Sequence, residues 1–106
     1  MAVFVKELLA ELKTSLAGLY GGRLKGVYLF GSYARNEAGE ESDVDVLVVL
    51  DRVDDYSAEI ARTSEVIAGL SLKYNVSLSR VFASEKQWRE DHTLFFLNLR
   101  AEAIPA

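Results

Sequence analysis

The sequence predicts a mixed α/β (or α+β) fold in which a small sheet of about three strands packs against helices. Amphipathic helical segments alternate with short apolar runs rich in β-forming residues, and half of the residues are hydrophobic. A chain of 106 residues is long enough to bury one core. Residues 1–106 are therefore expected to form a single domain.

The first part of the chain predicts one helix and one strand. Apolar residues recur at helical spacing from Val3 to about Tyr20, and Gly21-Gly22 ends this helix. Val27 to Phe30 is an apolar run of β-forming residues between glycines, which predicts a strand covered on both faces. The core-facing side of the helix is expected to consist of Val5, Leu8, Leu9, Leu12, Leu16 and Leu19.

A polar stretch and a second strand follow. Ser32 is placed to cap a short helix from about Tyr33 to Glu37. Glu40 and Glu41 are expected to be solvated loop charges. The run from Val44 to Leu50 is the strongest strand signal in the chain, and it is too continuously apolar to have a face in water.

The second half of the chain predicts further helices and a third strand. Asp54-Asp55 can cap a helix that continues to about Tyr74. Val76 to Phe82 alternates apolar with small polar residues, as a strand does. A capping box at Ser84 to Gln87 opens a short helix, and His92 to about Ala103 is expected to be helical.

The composition excludes several classes of protein. The chain has no Cys and one His, so disulfide scaffolds, thiolate zinc sites, a cysteine nucleophile and a two-His metal motif are ruled out. A net charge of −4 argues against direct nucleic-acid binding. No purely apolar stretch is longer than the five residues of Val46–Leu50, so neither a membrane anchor nor a secretory signal is expected, and the predicted location is cytoplasmic.

The chemistry concentrates in one spaced motif, which reads Gly31-Ser32, ten residues, then Asp43-Val44-Asp45. Residues two apart in a strand project from the same face, so Asp43 and Asp45 should point the same way where the strand begins. Two converging carboxylates repel each other unless a cation joins them. Hard oxygen ligands of this kind suit Mg²⁺ or Mn²⁺, which commonly keep open positions for substrate phosphates.

The other half of the motif has the features of an anion site. Gly31 allows the backbone to approach a ligand closely, and free N–H groups behind a glycine bind phosphate oxygens. Either half alone has an ordinary explanation, because Gly-Ser is a common turn and Asp-x-Asp often merely starts a strand. The four residue types at this spacing arise by chance on the order of once in a thousand chains of this length.

With these residues the chain resembles the minimal nucleotidyltransferases of the DNA polymerase beta superfamily, whose signature is Gly-Ser, ten residues, Asp-x-Asp. The likeness extends to Lys73–Val76, Ser84–Trp88 and Asn98–Ile104, and so covers nearly the whole chain. The resemblance implies a mixed sheet with helices mainly on one side. It also implies metal-dependent transfer of a nucleoside monophosphate from ATP or another nucleoside triphosphate to a hydroxyl.

The same resemblance assigns roles to individual residues. Asp43 and Asp45 would be the catalytic metal ligands, while Gly31 and Ser32 would hold the triphosphate and Arg35 falls on a commonly basic position. Asn36 stands where the family usually has Gly, and Asn is the best substitute if that position needs a positive φ.

A second departure from the family pattern bears on activity. Active relatives generally carry a third carboxylate on the third strand, and here Ser79 is at the equivalent position, with Ser77 two residues before it. Serine is a poor metal ligand and no base, so transfer could be slowed or lost while triphosphate binding survives. The two serines belong either to the wall of a wet active site or to an exposed strand face.

The resemblance also implies a partner, since such short proteins are typically paired with a helical HEPN-type toxin, as its antitoxin. Three functions stay open. The chain could transfer AMP to a hydroxyl of its partner, it could be a catalytically weak nucleotide-binding antitoxin that neutralises the partner by complex formation, or it could be a free-standing enzyme. Part of the apolar bulk near the end of the chain is expected to form a protein interface, from among Trp88, Phe95, Phe96 and Leu97.

Overall fold

A computed structural model describes residues 2–39 and 42–106, so the expectation for Glu40 and Glu41 lies outside the described residues. The two long helices and three of the strands lie at or near the positions that the sequence predicts. A 3₁₀ turn at Gly21–Arg23 precedes the first strand. The elements are α1 Val3–Tyr20, β1 Leu24–Phe30, β2 Val44–Leu50, α2 Tyr56–Tyr74, β3 Leu78–Ser84, α3 Glu85–Glu90, α4 Leu94–Glu102 and β4 Ile104–Pro105.

The strands form one mixed sheet in the order β3-β2-β1-β4. Strand β2 is parallel to β3 and antiparallel to β1, and β1 also pairs antiparallel with β4. The fold class is therefore confirmed, with four strands in place of about three. The extra strand pairs Ile104 with Leu29 and Pro105 with Tyr28. Two residues are too few to show a strand period, which explains why the sequence does not reveal it.

The two long helices cover one face of the sheet and form the larger core. Residues of α1 and α2 pack against alternate residues of the strands, such as Val46 and Val48 of β2. Leu19 is 43% exposed, so its predicted place in the core is wrong. Tyr20 is buried instead, and its hydroxyl donates a hydrogen bond of 2.8 Å to the buried carboxylate of Glu59.

The two short helices cover part of the opposite face, where a smaller core lies. Its buried members are Leu47, Val49, Ala83, Phe96 and Leu99. Trp88 packs against this group and stacks on Tyr28 with ring centroids 4.6 Å apart. Of the four residues predicted to include an interface, Trp88 and Phe96 therefore belong to this core, while Phe95 and Leu97 are exposed.

Local capping follows the sequence closely. The Asp55 side chain accepts a hydrogen bond of 3.2 Å from the backbone N–H of Ala58 and caps α2, which ends at Asn75 in the left-handed conformation. The predicted capping box of α3 is present, with Ser84 and Gln87 hydrogen-bonded in both directions. Strand β3 begins at Leu78, two residues later than predicted, and continues to this cap. Among the described residues, no helix combines the length and apolar character that a membrane crossing needs.

Candidate nucleotide and metal site

Pairing of β1 with β2 brings the two halves of the Gly-Ser and Asp-x-Asp motif together. Phe30 at the end of β1 pairs with Asp45 of β2, so Gly31 begins the next turn beside the Asp45 carboxylate. Gly31 has a φ of 76°, and a Cβ atom there would lie 2.3 Å from Oδ2 of Asp45. Only glycine therefore allows the turn to adopt this conformation and to lie this close to the carboxylate.

The residues after Gly31 form hydrogen-bonded turns, so the predicted helix from Tyr33 to Glu37 is wrong in its regular form. The N–H of Glu37 donates to the carbonyl of Ser32 at 2.8 Å, and the N–H of Asn36 donates to that of Tyr33 at 3.4 Å. These two hydrogen bonds are typical of the C-terminal end of a helical turn, where one residue adopts the left-handed conformation. Asn36 supplies it with a φ of 59°, as expected for an Asn in place of Gly.

The turn is fixed to the body of the protein by aromatic packing. The ring of Tyr33 meets the ring of Phe4 edge to face, with centroids 5.9 Å apart. Phe4 belongs to α1, so the turn that begins at Gly31 rests on the first helix. This contact restricts the position of the backbone N–H groups that the sequence assigns to phosphate binding.

Asp43 and Asp45 lie at the beginning of β2, where the sheet face is open. Asp43 is exposed and just precedes the strand, whereas Asp45 is half-buried within it. Burial raises the pKa of the Asp45 carboxyl, the charges of Asp43 and Glu102 raise it further, and Arg35 opposes them. A divalent cation would relieve the repulsion between these carboxylates. The two side chains thus fit one such cation by their oxygen chemistry and their charge.

Strand β3 places Ser79 on the other side of Asp45. The parallel pairing of β2 and β3 sets Ser79 directly beside Asp45, so the side chains of these two residues share a sheet face. Ser77 precedes β3, and its carbonyl accepts a hydrogen bond of 2.9 Å from the N–H of Val44. Within residues 2–39 and 42–106, no three acidic or histidine side chains converge closely enough to hold a metal ion.

Arg35 is engaged by carboxylates on two sides. Its Nη1 donates to Oε2 of Glu102 at 2.8 Å, and its Nε donates to Oε2 of Glu37 at 3.1 Å. Both contacts keep the pKa of the guanidinium above its ordinary value, and Glu102 has the larger effect. Glu102 is a member of the site that sequence reasoning missed. It belongs to the family-like stretch 98–104, but no local spacing connects it with Arg35 or Asp45.

Comparison with known proteins identifies the family of the chain. The family described as "Nucleotidyltransferase domain" matches residues 6–96. MJ0604 of Methanocaldococcus jannaschii, which carries the provisional name of a protein adenylyltransferase, is 37% identical over 81 residues, covering 76% of this chain and 75% of its own. At this identity and coverage, the two proteins belong to the same family.

Two solved structures share the fold. One is a toxin-antitoxin crystal structure with AMP-PNP, which has a TM-score of 0.60 and 22% identity and covers 90% of this chain and 70% of its own. The other, from Sulfolobus solfataricus and provisionally described as a nucleotidyltransferase, has a TM-score of 0.60 and 21% identity and covers 96% of this chain and 75% of its own. With the matched family spanning residues 6–96, the chain belongs to the nucleotidyltransferase family, and it is a probable enzyme of that class.

Proposed function

We propose that the protein transfers a nucleoside monophosphate, AMP from ATP, to a hydroxyl of a partner protein and acts in the cytoplasm as the antitoxin of a helical HEPN-type toxin. The observation that carries the proposal is the contact between the two halves of the motif, since Gly31 lies against the carboxylate of Asp45. A phosphate-binding turn and a cation-binding pair placed side by side can hold one nucleoside triphosphate between them.

Each residue of the site has a part in this proposal. Asp43 and Asp45 would hold Mg²⁺ or Mn²⁺, which would supply positive charge to the triphosphate. The turn that begins at Gly31 and Ser32 directs backbone N–H groups at phosphate oxygens, and the guanidinium of Arg35 adds a cation. Together these groups position the α-phosphorus for attack.

The proposed reaction is a substitution at phosphorus. The acceptor hydroxyl oxygen forms a bond to the α-phosphorus of ATP, the bond from that phosphorus to the bridging oxygen breaks, and pyrophosphate leaves with the electron pair. The hydroxyl proton passes to a base or to solvent. Through Gly31, Ser32 and Arg35 the chain contributes binding and orientation. Ser79, which lies beside Asp45, is too weak a base to take the proton.

The comparisons support the choice of nucleotide and partner without deciding them. MJ0604 is named for protein adenylylation, and the AMP-PNP structure that shares the fold is a toxin-antitoxin complex. An adenylyl donor and a protein acceptor are therefore the first to test. The HEPN character of the partner rests on the resemblance of the Gly31–Asp45 motif to minimal nucleotidyltransferases.

One observation favours a second function. Ser79 is the β3 residue that pairs directly with Asp45, where a third carboxylate would complete a metal site. A protein with this arrangement could bind the triphosphate and transfer slowly or not at all. The alternative is a nucleotide-binding antitoxin that neutralises its partner by forming a complex with it.

Intact mass spectrometry of the purified pair separates the two functions. The protein is purified together with a candidate HEPN-type partner, sought first among the products of adjacent genes, and the pair is incubated with ATP and Mg²⁺. The proposal expects one or more AMP groups on the partner, and none with the double variant Asp43→Asn/Asp45→Asn. A stable complex that binds ATP without any gain in mass would favour the alternative. Absence of both a complex and a gain in mass would contradict both functions.

A further inference from the structure

The proposed nucleotide site is surrounded by more negative than positive charge. Its named ionisable groups are the carboxylates of Asp43, Asp45, Glu37 and Glu102 and the guanidinium of Arg35. A free triphosphate is strongly negative, so these carboxylates repel it. Arg35 is the group in this set that attracts it, and two carboxylates already occupy the guanidinium.

Of the two carboxylates paired with Arg35, Glu102 should compete more strongly than Glu37 with a phosphate for the guanidinium. The side chain of Glu102 is 24% exposed, compared with 64% for Glu37, so water screens it less. Its charge also reaches Asp45, whose pKa is raised mainly by burial and in part by Glu102. Glu102 thus contacts the basic residue of the site directly and adds negative charge within electrostatic reach of Asp45.

The backbone around Glu102 is held on both sides, which fixes where its carboxylate can lie. Glu102 is the last residue of α4, and this helix is anchored by the buried side chains of Phe96 and Leu99. Directly after it, the N–H of Ala103 donates to Leu99 at 2.9 Å and Ile104 pairs with Leu29 of β1. Glu102 is therefore kept beside Arg35 by the core and by the sheet.

We infer that Glu102 makes the nucleotide site selective for the cation-bound triphosphate over the free triphosphate, by occupying Arg35 and adding negative charge beside Asp45. The inference rests on the proposed function, because it assigns a property to the same site. Both forms of the triphosphate compete with Glu102 for Arg35, but the free form carries more negative charge and is repelled more strongly by the Glu102 carboxylate. A divalent cation offsets the repulsion, so the cation-bound triphosphate is much less affected.

Calorimetric titration of ATP tests this inference in the whole protein, with Mg²⁺ or with EDTA. Relative to the natural protein, Glu102→Gln should bind ATP about fivefold more tightly in EDTA and change by less than about twofold in Mg²⁺. Glu37→Gln is the matched control, and its smaller effect should reflect its greater exposure. In an Arg35→Gln background, Glu102→Gln should lose most of its effect in EDTA, since the two residues act as a pair.

The outcomes separate this inference from the proposed function. If the natural protein binds ATP in Mg²⁺ but Glu102→Gln has the same or a lower affinity in EDTA, Glu102 is not a selectivity residue and the proposed function stands. A lower affinity in both conditions would show that Glu102 merely positions Arg35 for the phosphate. If neither protein binds ATP with Mg²⁺, the inference and the proposed function are both wrong.

Discussion

The two faces of the sheet serve different purposes, and β2 contributes to both. On the face covered by α1 and α2, its residues Val44, Val46 and Val48 are fully buried in the larger core. On the other face, Leu47 and Val49 are buried beneath the short helices, but Asp45 lies where this cover ends. The alternation of a single strand thus supplies a structural face along its whole length and a chemical face at its beginning.

The two faces differ in how well their acidic side chains are paired with hydrogen-bond donors and positive charge. The larger core can tolerate a buried charge when the charge has partners, as Glu59 has in Tyr20 and Arg62. The open end of the other face holds Asp45 next to Asp43 and Glu102, and their charges raise its pKa. Substitutions on the first face should therefore change mainly folding, and those on the second mainly binding and transfer.

The largest effect is expected at Ser79. If the missing carboxylate limits the reaction, Ser79→Asp should raise the rate of AMP transfer by roughly 10²- to 10⁴-fold, because a positioned base contributes about that much. Single-turnover transfer to the purified partner measures it. Ser57→Asp, at an exposed position of α2, is the control and should change the rate little. A folded Ser79→Asp protein with no gain would mean that another group takes the proton.

Gly31 should be more sensitive to alanine than any exposed helix glycine. Gly31→Ala is expected to cost about 1–3 kcal/mol of stability and to weaken ATP binding strongly, since its Cβ would meet Oδ2 of Asp45 and its φ is positive. Gly18 lies on the exposed side of α1 with nothing near its Cβ position. Gly18→Ala should stabilise by up to about 1 kcal/mol and leave binding unchanged. Similar results for the two variants in denaturation and in ATP titration would contradict the account of the turn.

The buried Glu59 should make the structural face sensitive to acid. Burial alone would raise the pKa of Glu59, but hydrogen bonds from Tyr20 and Arg62 and the nearby arginine charges lower it below its ordinary value of 4.5. The ionised form therefore stabilises the fold above pH 4.5, and this contribution is lost as the pH falls through the lower folded-state pKa.

Glu59→Gln should accordingly destabilise the protein by about 1.5–3 kcal/mol at neutral pH, and by less as the pH falls below 4.5. Urea denaturation across this pH range measures the difference. Glu65→Gln, on the exposed side of the same helix, is the control and should have little effect. A pH-independent difference between Glu59→Gln and the natural protein would contradict the assigned ionisation.

The smallest effect is expected at Asp45, where removal of the charge should stabilise the fold, whereas at Glu59 it should destabilise it. The pKa of Asp45 is raised above 3.8 in the folded state, so the folded protein holds the Asp45 proton more tightly than the unfolded chain does. The free energy of unfolding therefore falls as the pH rises through the folded-state pKa. Asp45→Asn should therefore raise Tm by at most a few degrees at pH 7 in the absence of divalent cations, and not at low pH. Asp54→Asn, at a solvated ion pair, should leave Tm nearly unchanged. A lower Tm for Asp45→Asn would mean that the carboxylate stabilises the fold.

The sequence predicts the features that depend on local pattern. The apolar periodicity of α1, the continuous apolar run of β2 and the cap at Asp55 all have their cause within a few residues. The positive φ of Asn36 follows from the same kind of local reasoning. Their agreement with the structure shows that the main scaffold is encoded segment by segment.

The features that the sequence does not predict depend on tertiary contacts. The edge strand β4 forms because the end of the chain lies along β1, and Glu102 joins the site for the same reason. The hydrogen bond from the Tyr20 hydroxyl to Glu59 likewise joins two helices that are far apart in the sequence. No spacing in the chain connects these pairs, so only the folded arrangement reveals them.

The central claim is that Asp43, Asp45 and the turn at Gly31 form one site for a cation and a triphosphate. Calorimetric titration of ATP into the purified protein, with Mg²⁺ and with EDTA, tests this most directly when it is repeated on Asp43→Asn/Asp45→Asn. The account predicts much tighter binding in Mg²⁺ than in EDTA for the natural protein, and loss of this Mg²⁺-dependent gain in the double variant. Equal binding in Mg²⁺ and EDTA, or undiminished Mg²⁺-dependent binding by the variant, would contradict it.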